Sequence, residues 1–314
     1  MYHYVRPPEE RWSTRHNVLP LDVFERQLDH LCATYQLVTG SEIRRLLRGE
    51  AGVAHSGLPL AWLTFDDGYA DCVKHVLPAL QRRGIAASFF IPTAIIDHRS
   101  LLAVNAIHYL LATCSSSGEI VAELRRLWRE REVRSTRGET FDELYGRVAI
   151  PNAWNDTDSR FIKKTLQREL PPDVRESLVG ELLAQLTGPT PATIADELYL
   201  RDSDVRTLLK AGMEVGSHGH RHLWLADHDR EAQREDLLRS FDILRRIGHM
   251  DPAATLSYPF GSYNADTLAI ARESGASIGL VNSYDRVADL SPEGRDWLET
   301  ERIDAMWFER FFGC

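Results

Sequence analysis

The sequence predicts an α/β protein built on a parallel sheet, closed as a barrel, with a block of helices inserted into it. Three observations lead there. Short apolar runs alternate with segments of helical spacing over residues 1–97 and again over 197–314, a pattern that implies helical crossovers between parallel strands. Residues 98–196 abandon the alternation and keep helical spacing alone. A length of 314 residues suits one barrel-sized core with an insertion.

The elements follow in order. Met1-Tyr2-His3-Tyr4-Val5 is a short strand. Phe24, Leu28, Leu31 and Cys32 recur at helical spacing, Gln36-Leu37-Val38 is extended, and a short helix follows Ser41. Ala61-Trp62-Leu63-Thr64-Phe65 reads as a buried strand closed by Asp66-Asp67-Gly68, where Gly68 permits a sharp turn. Val73, Val76, Leu77 and Leu80 form an amphipathic helix that Pro78 should kink. Gly84 ends it, and Ala86 to Ile91 make the next strand, stopped by Pro92.

Within the inserted block, Ile120, Val121, Leu124, Leu127 and Trp128 follow a helical period, as do Val174, Leu178, Leu182 and Leu186. Its 13 Lys/Arg against 14 Asp/Glu make it neither a basic arm nor an acidic tail, and Pro151, Pro171, Pro172 and Pro189 mark breaks between helices. The alternation then resumes. Val205, Leu208 and Leu209 line a helix ended by Gly212, before the short apolar stretch Met213-Glu214-Val215. Leu237, Leu238, Phe241 and Leu244 line another helix; Ala254 to Tyr258 reads as a strand, Leu268 to Ala271 as a helix and Ser277 to Val281 as a strand. The barrel thus comprises residues 1–97 and 197–314. The insertion at 98–196 leaves from a strand end, where functional loops of a barrel gather, and is expected to form a helical cap over the active-site mouth.

Composition narrows the function. Hydrophobic content of 43% and charged content of 26% are those of a soluble globular protein. A net charge of −9 argues against nucleic-acid binding, which needs clustered Lys and Arg. No apolar run approaches a membrane span, and the first residues lack the charged start and apolar centre of a signal peptide. Cys32, Cys72, Cys114 and Cys314 are widely spaced with no CxxC pair, as for thiols in a reducing compartment. A cytoplasmic protein is expected.

Two clusters carry chemistry. Asp66 and Asp67 sit at a strand end, the one place where adjacent carboxylates can converge on a site and take different tasks. Gly216-Ser217-His218-Gly219-His220-Arg221-His222 holds three of the chain's twelve histidines. His218 and His222 are four apart, so one helical turn would put both imidazoles on one side. Asp, His and His together make a three-ligand set for a borderline cation, with a coordination position left for water. A loop could present His220 in place of one of them. Two nitrogens and a carboxylate suit Zn²⁺, and also Co²⁺, Ni²⁺ or Mn²⁺.

In order and strand-end placement, Thr64-Phe65-Asp66-Asp67-Gly68 and Ser217-His218-Gly219-His220-Arg221-His222 resemble the first two motifs of the polysaccharide deacetylases, the NodB-homology family or carbohydrate esterase family 4. Ser257-Tyr258-Pro259-Phe260-Gly261 resembles the third, Arg-x-Pro-Tyr-Gly. The resemblance covers residues 1–96 and 197–305 and implies a distorted (β/α)7-type barrel. It implies that Asp67, His218 and His222 hold a divalent metal while Asp66 is the general base. A carboxylate bound to metal is a poor base, and its neighbour stays free to accept a proton. It also implies that the Phe260 backbone N–H stabilises the oxyanion. Tyr258, Pro259, Gly261 and Arg302 are assigned to the substrate side of the site.

Two departures from the family pattern matter. The Arg of the third motif, which orients the base, is replaced by Ser257, and Arg302 is the candidate substitute. The late motifs that supply the general acid are missing, and no histidine follows His249. Tyr2-His3-Tyr4 is similar to the N-terminal segment of a permuted subgroup, the poly-N-acetylglucosamine deacetylases, which makes His3 the implied acid. The expected function is metal-dependent removal of an N-acetyl group from an amino sugar or glycan precursor, in surface-polysaccharide biosynthesis. N-deformylation or O-deacetylation of a similar sugar are alternatives, as is a catalytically inactive carbohydrate-binding barrel.

Overall fold

The structure is a computed structural model that describes residues 1–10, 18–50, 56–97, 100–151, 155–248, 251, 254–283, 288 and 297–308. The chain divides into two compact units: Met1–Pro8, Leu19–His98 and Leu198–Cys314 form one, and Glu9–Val18 with Arg99–Glu197 form the other.

The first unit is α/β. Its small strands β1 (Tyr4–Arg6) and β2 (Val18–Pro20) pair, as do β3 (Gln36–Leu37) and β4 (Leu60–Ala61). The main sheet holds β5 (Thr64–Phe65), β6 (Ser88–Ile91), β7 (Glu214–Ser217), β8 (Thr255–Ser257), β9 (Ile278–Ser283) and β10 (Thr300–Ile303). All six are parallel and lie in sequence order, from β5 at one edge to β10 at the other. Residues 1–2 join those edges. Tyr2 N–H donates to Thr64 O at 2.8 Å and Tyr2 O accepts from Asp66 N–H at 3.0 Å. On the other side the Met1 amine donates to Ile303 O at 2.8 Å, and Met1 O accepts from Ala305 N–H at 2.9 Å. The curled sheet therefore closes into a barrel through a seventh, very short segment, which satisfies the backbone groups an open edge would leave bare.

Helices α1 (Leu21–Thr34), α2 (Gly40–Leu47), α3 (Leu77–Arg82) and α4 (Ala94–Asp97) accompany the first half of the barrel. Pro78 acts differently from the expected kink. A π-turn over Cys72–Val76 precedes α3, and the Leu77 N–H reaches back five residues to Cys72 O, so that Pro78 falls in the first turn of a new helix. There its missing N–H costs nothing.

The second unit is helical: α5 (Ala103–Thr113), α6 (Ser117–Glu130), α7 (Phe141–Val148), α8 (Thr157–Lys164) and α9 (Pro172–Leu186), with α10 (Pro191–Leu198) reaching its end. Ile120, Leu124, Leu127, Trp128, Phe161, Leu178 and Leu182 form a buried core of its own, while Val174 and Leu186 sit at its margin. Back in the first unit, α11 (Asp202–Lys210), α12 (Arg230–Ile247) and α13 (Ala265–Glu273) complete the crossovers. Leu237, Phe241, Leu256 and Ile270 join helix to sheet there. Cys32, Cys72 and Cys114 are free thiols; Cys314 lies outside the described residues. Among the described residues no helix is long and apolar enough to cross a membrane.

Candidate active site

The site lies at the C-terminal ends of β5, β7 and β8. Asp66 is the last residue held in the sheet, through its bond to Tyr2 O. The chain then turns through two left-handed residues, Asp67 (φ 70°) and Gly68 (φ 67°). Gly68 takes that backbone without strain, and a Cβ there would press on the Ile95 and Ile91 side chains. The turn leaves both carboxylates buried and facing different partners.

The histidine cluster reaches the same point by a route that differs from the expected helical turn. Residues 218–224 are not helical. Instead Gly219 (φ 68°) and His222 (φ 56°) fold the loop back. Asp236 of α12 holds it, accepting from the N–H groups of His220 at 2.8 Å and Arg221 at 3.0 Å. A Cβ on Gly219 would meet that same carboxylate at 2.7 Å. The His218 and His222 rings come to 4.8 Å between centroids. His220 points elsewhere, its Nδ1 at 2.9 Å from Thr93 Oγ1.

Asp67 Oδ1 lies 3.5 Å from His218 Nε2 and 3.3 Å from His222 Nε2. One ligand atom from each of the three residues fits within 4.8 Å of the others. His218 Nδ1 is 2.8 Å from Ser257 O, and a carbonyl can only accept, so Nδ1 carries a proton and Nε2 is the nitrogen available to a cation. The donor set, its burial and this oriented tautomer fit a divalent metal.

Asp66 Oδ2 also lies 3.9 Å from His218 Nε2, but its hydrogen bonds go elsewhere. Arg302 of β10 grips it with both arms, at 3.0 Å to Oδ1 and 2.7 Å to Oδ2, and Ser257 Oγ donates to Oδ2 at 3.0 Å. Arg302 also donates to Ser257 Oγ at 2.8 Å and Thr64 Oγ1 at 3.1 Å. The guanidinium grouped above with substrate binding is thus buried and committed to Asp66, and Ser257 completes the contact.

The third motif places Phe260 at φ 58° in a tight turn. The turn's own bonds run from Gly261 and Ser262 N–H to Tyr258 and Pro259 O, and the Phe260 N–H takes part in neither. Its ring lies flat on Trp224 at 4.1 Å and edge-on to His222 at 4.5 Å. Tyr258 and Pro259 are buried, and the Tyr258 side chain packs with Leu256 and Phe241, which leaves its backbone alone near the site. His3 is half-buried just past the Tyr2–Phe65 bridge, close enough for its charge to act on both carboxylates.

Charge balance separates the two acids. Burial raises a carboxyl's pKa. At Asp66 the charges of Arg302 and His218 and the guanidinium hydrogen bonds outweigh burial and hold the group far below the usual carboxylate range. At Asp67 burial is opposed by hydrogen bonds to His218 and His222, again with a net lowering. Burial lowers the His222 imidazole, favouring its neutral, ligating form; at His218 the charges of Asp66 and Asp67 overcome burial and raise it. A cation would displace that proton.

Tyr69, Trp224 and Asp236 are site residues that the motifs did not single out. Tyr69 O–H donates to Asp67 Oδ2 at 2.6 Å, and burial first, then Asp67's charge, keeps the phenol protonated. Its position directly after Gly68 was the available signal.

A model of the polysaccharide deacetylase family matches residues 56–126 and 184–279, more than half of the chain. The chain belongs to that family. Solved structures similar to this polysaccharide deacetylase include the deacetylase PplD of Streptococcus pyogenes in complex with acetate, with 16% identity and a TM-score of 0.56 over 97% of this chain and 89% of that one. A de-N-acetylase from Aggregatibacter actinomycetemcomitans gives 13% and 0.56 over 96% and 93%. IcaB from Ammonifex degensii gives 15% and 0.53 over 96% and 91%. At such identities the likeness is one of fold. No curated protein sequence matches the chain.

The Asp66–Arg302 pair makes a pH prediction. The folded pKa of Asp66 lies below its unfolded value of about 3.9, so the pairing contributes in full above that pH and is lost as pH falls through the lower folded value. Asp66→Asn strands the buried guanidinium and should cost about 3–5 kcal/mol in denaturant unfolding at pH 7. The deficit should be nearly undiminished at about pH 4, and its disappearance there contradicts the arrangement.

Proposed function

We propose that this polysaccharide deacetylase is a metal-dependent N-deacetylase acting on an N-acetylated amino sugar in a glycan or glycan precursor. The observation that carries the reading is the division of labour between neighbours: Asp67 faces two imidazoles, whereas Asp66 is held off by Arg302 and Ser257. Asp67, His218 and His222 would hold the cation. When bound, a Zn²⁺-like ion supplies Lewis acidity, polarising the amide carbonyl and acidifying a water.

This chain's residues do the rest. Asp66, ionised throughout the neutral range, accepts the proton of the attacking water. Arg302 fixes its orientation and keeps it charged, though the same contact weakens it as a base, so the water must be acidified for the transfer to run. The Phe260 N–H donates to the oxyanion of the tetrahedral intermediate. His3 protonates the departing nitrogen as the C–N bond breaks, leaving acetate and a free amine. The helical unit joins the barrel chain after the C-terminal end of β6. We assign it a role in choosing the glycan.

Amine release from N-acetylglucosamine oligomers should vanish on chelation and return with Zn²⁺ or Co²⁺. Asp66→Asn should lower kcat about 10²–10⁴-fold with metal content unchanged. A protein that holds metal yet releases no amine from N-acetyl or N-formyl sugars, and no acetate from O-acetyl sugars, is a binding barrel instead. His3→Ala should lower kcat on the amide about 10²-fold or more, and much less on an acetate ester of a good leaving group, which needs no acid. Equal losses on both substrates remove His3 as the acid. Hydrogen exchange within residues 99–197 should slow when a glycan oligomer is added; unchanged exchange removes the helical unit from substrate selection.

A further inference from the structure

Asp67 has two carboxylate oxygens, and the structure gives them different work. Oδ1 is the atom shared by the two imidazoles, at 3.3 and 3.5 Å. Oδ2 accepts the Tyr69 hydroxyl at 2.6 Å, a short, charge-assisted bond in a buried setting. Tyr69 is itself unusually constrained. Its ring stacks on Tyr4 at 3.9 Å and 17°, and on Tyr199 at 6.3 Å and 12°. Its backbone forms an antiparallel bridge with Tyr199, flanked by the bonds Leu200 N–H to Gly68 O (2.9 Å) and Ala70 N–H to Leu198 O (2.8 Å). The hydroxyl is therefore presented from a rigid aromatic stack to a residue that sits at φ 70°. Left-handed backbone at a side chain other than glycine persists where its surroundings over-determine it, and this hydroxyl contributes to doing so.

We infer that Tyr69 is a positioning residue that fixes Asp67 as a one-oxygen ligand. The inference rests on the metal-site reading above and extends it to this side chain. For Asp67 to offer both oxygens to one cation, Oδ2 would have to give up the phenol, and hydrogen bonds to charged groups contribute about 1.5–3 kcal/mol. Held by Tyr69, the carboxylate takes one coordination position instead of two. The positions kept open are those that a water and the substrate carbonyl need. The same bond pre-orients Oδ1 before any ion arrives, which raises affinity by lowering the ordering cost of binding. Partners of this kind, one bond removed from the ion, change metal affinity about 10–100-fold when mutated.

A purely structural role for Tyr69 makes a different prediction, and Tyr69→Phe separates the two because it keeps the stack and removes one oxygen. Zn²⁺ affinity is measured by competition with a chromophoric chelator, and the coordination of Co²⁺ by its visible absorption. The wild type should bind one ion. Tyr69→Phe should retain the fold by circular dichroism, bind Zn²⁺ about 10–100-fold more weakly, and show a weaker Co²⁺ band as Asp67 becomes bidentate. Unchanged affinity together with an unchanged Co²⁺ spectrum in the folded variant overturns the assignment of Tyr69 alone. A wild type that binds neither ion overturns the metal-site reading and this assignment with it. Should Tyr69→Phe fail to fold, replacing Tyr69 with 3,5-difluorotyrosine keeps shape and hydroxyl but strengthens the donor. A Co²⁺ spectrum unmoved by that change also overturns the assignment.

Discussion

Two neighbouring carboxylates cannot both be ionised in a buried site unless each has its own positive partner, and the architecture follows from that requirement. Asp66 is neutralised by Arg302 from the far edge strand of the sheet, and Asp67 faces the imidazoles that an ion would bridge. In the proposed mechanism, these unequal partners let one acid accept a proton while the other binds. The pairing also bears on why a buried guanidinium, costly on its own, is present at all: Thr64, Ser257 and Asp66 take up the hydrogen bonds of both its terminal nitrogens.

Barrel closure makes the Arg302 contact reachable. Strands β5 and β10 lie at opposite edges of the six-stranded sheet, and residues 1–2 carry the backbone hydrogen bonds that link them. That same short segment carries His3 to the mouth. Local strain is concentrated in the same place. Of the four non-glycine residues with positive φ among the described residues, Asp67, His222 and Phe260 belong to the site and only Glu132 does not. Each turn aims one group, the Asp67 carboxylate, the His222 imidazole and the Phe260 N–H, and each is braced by burial or by stacking such as Phe260 on Trp224.

Much of this was legible in the sequence because local chemistry reports locally. Strand–turn signals at Asp66-Asp67-Gly68, helical spacing in residues 98–196 and the order of three motifs pointed to the fold and the candidate ligands. What failed was information that lives in tertiary contacts. The four-residue spacing of His218 and His222 suggested a helix, whereas a loop braced by Asp236 of α12 brings the rings together. The two-armed contact of Arg302 with Asp66 is visible only in the folded chain, since β10 carries no strong apolar pattern and its pairing with β9 cannot be read locally. Tyr258 looked like a site residue by motif, yet strand alternation turns its ring into the core.

The most direct test of the central claim is anomalous X-ray diffraction from crystals of the protein grown with Zn²⁺ or Co²⁺. The account predicts a single strong peak bonded to Asp67 Oδ1, His218 Nε2 and His222 Nε2, with Asp66 still clasped by Arg302 and off the ion. A peak coordinated by Asp66, one that engages His220 in place of either imidazole, or no peak near these residues would contradict it.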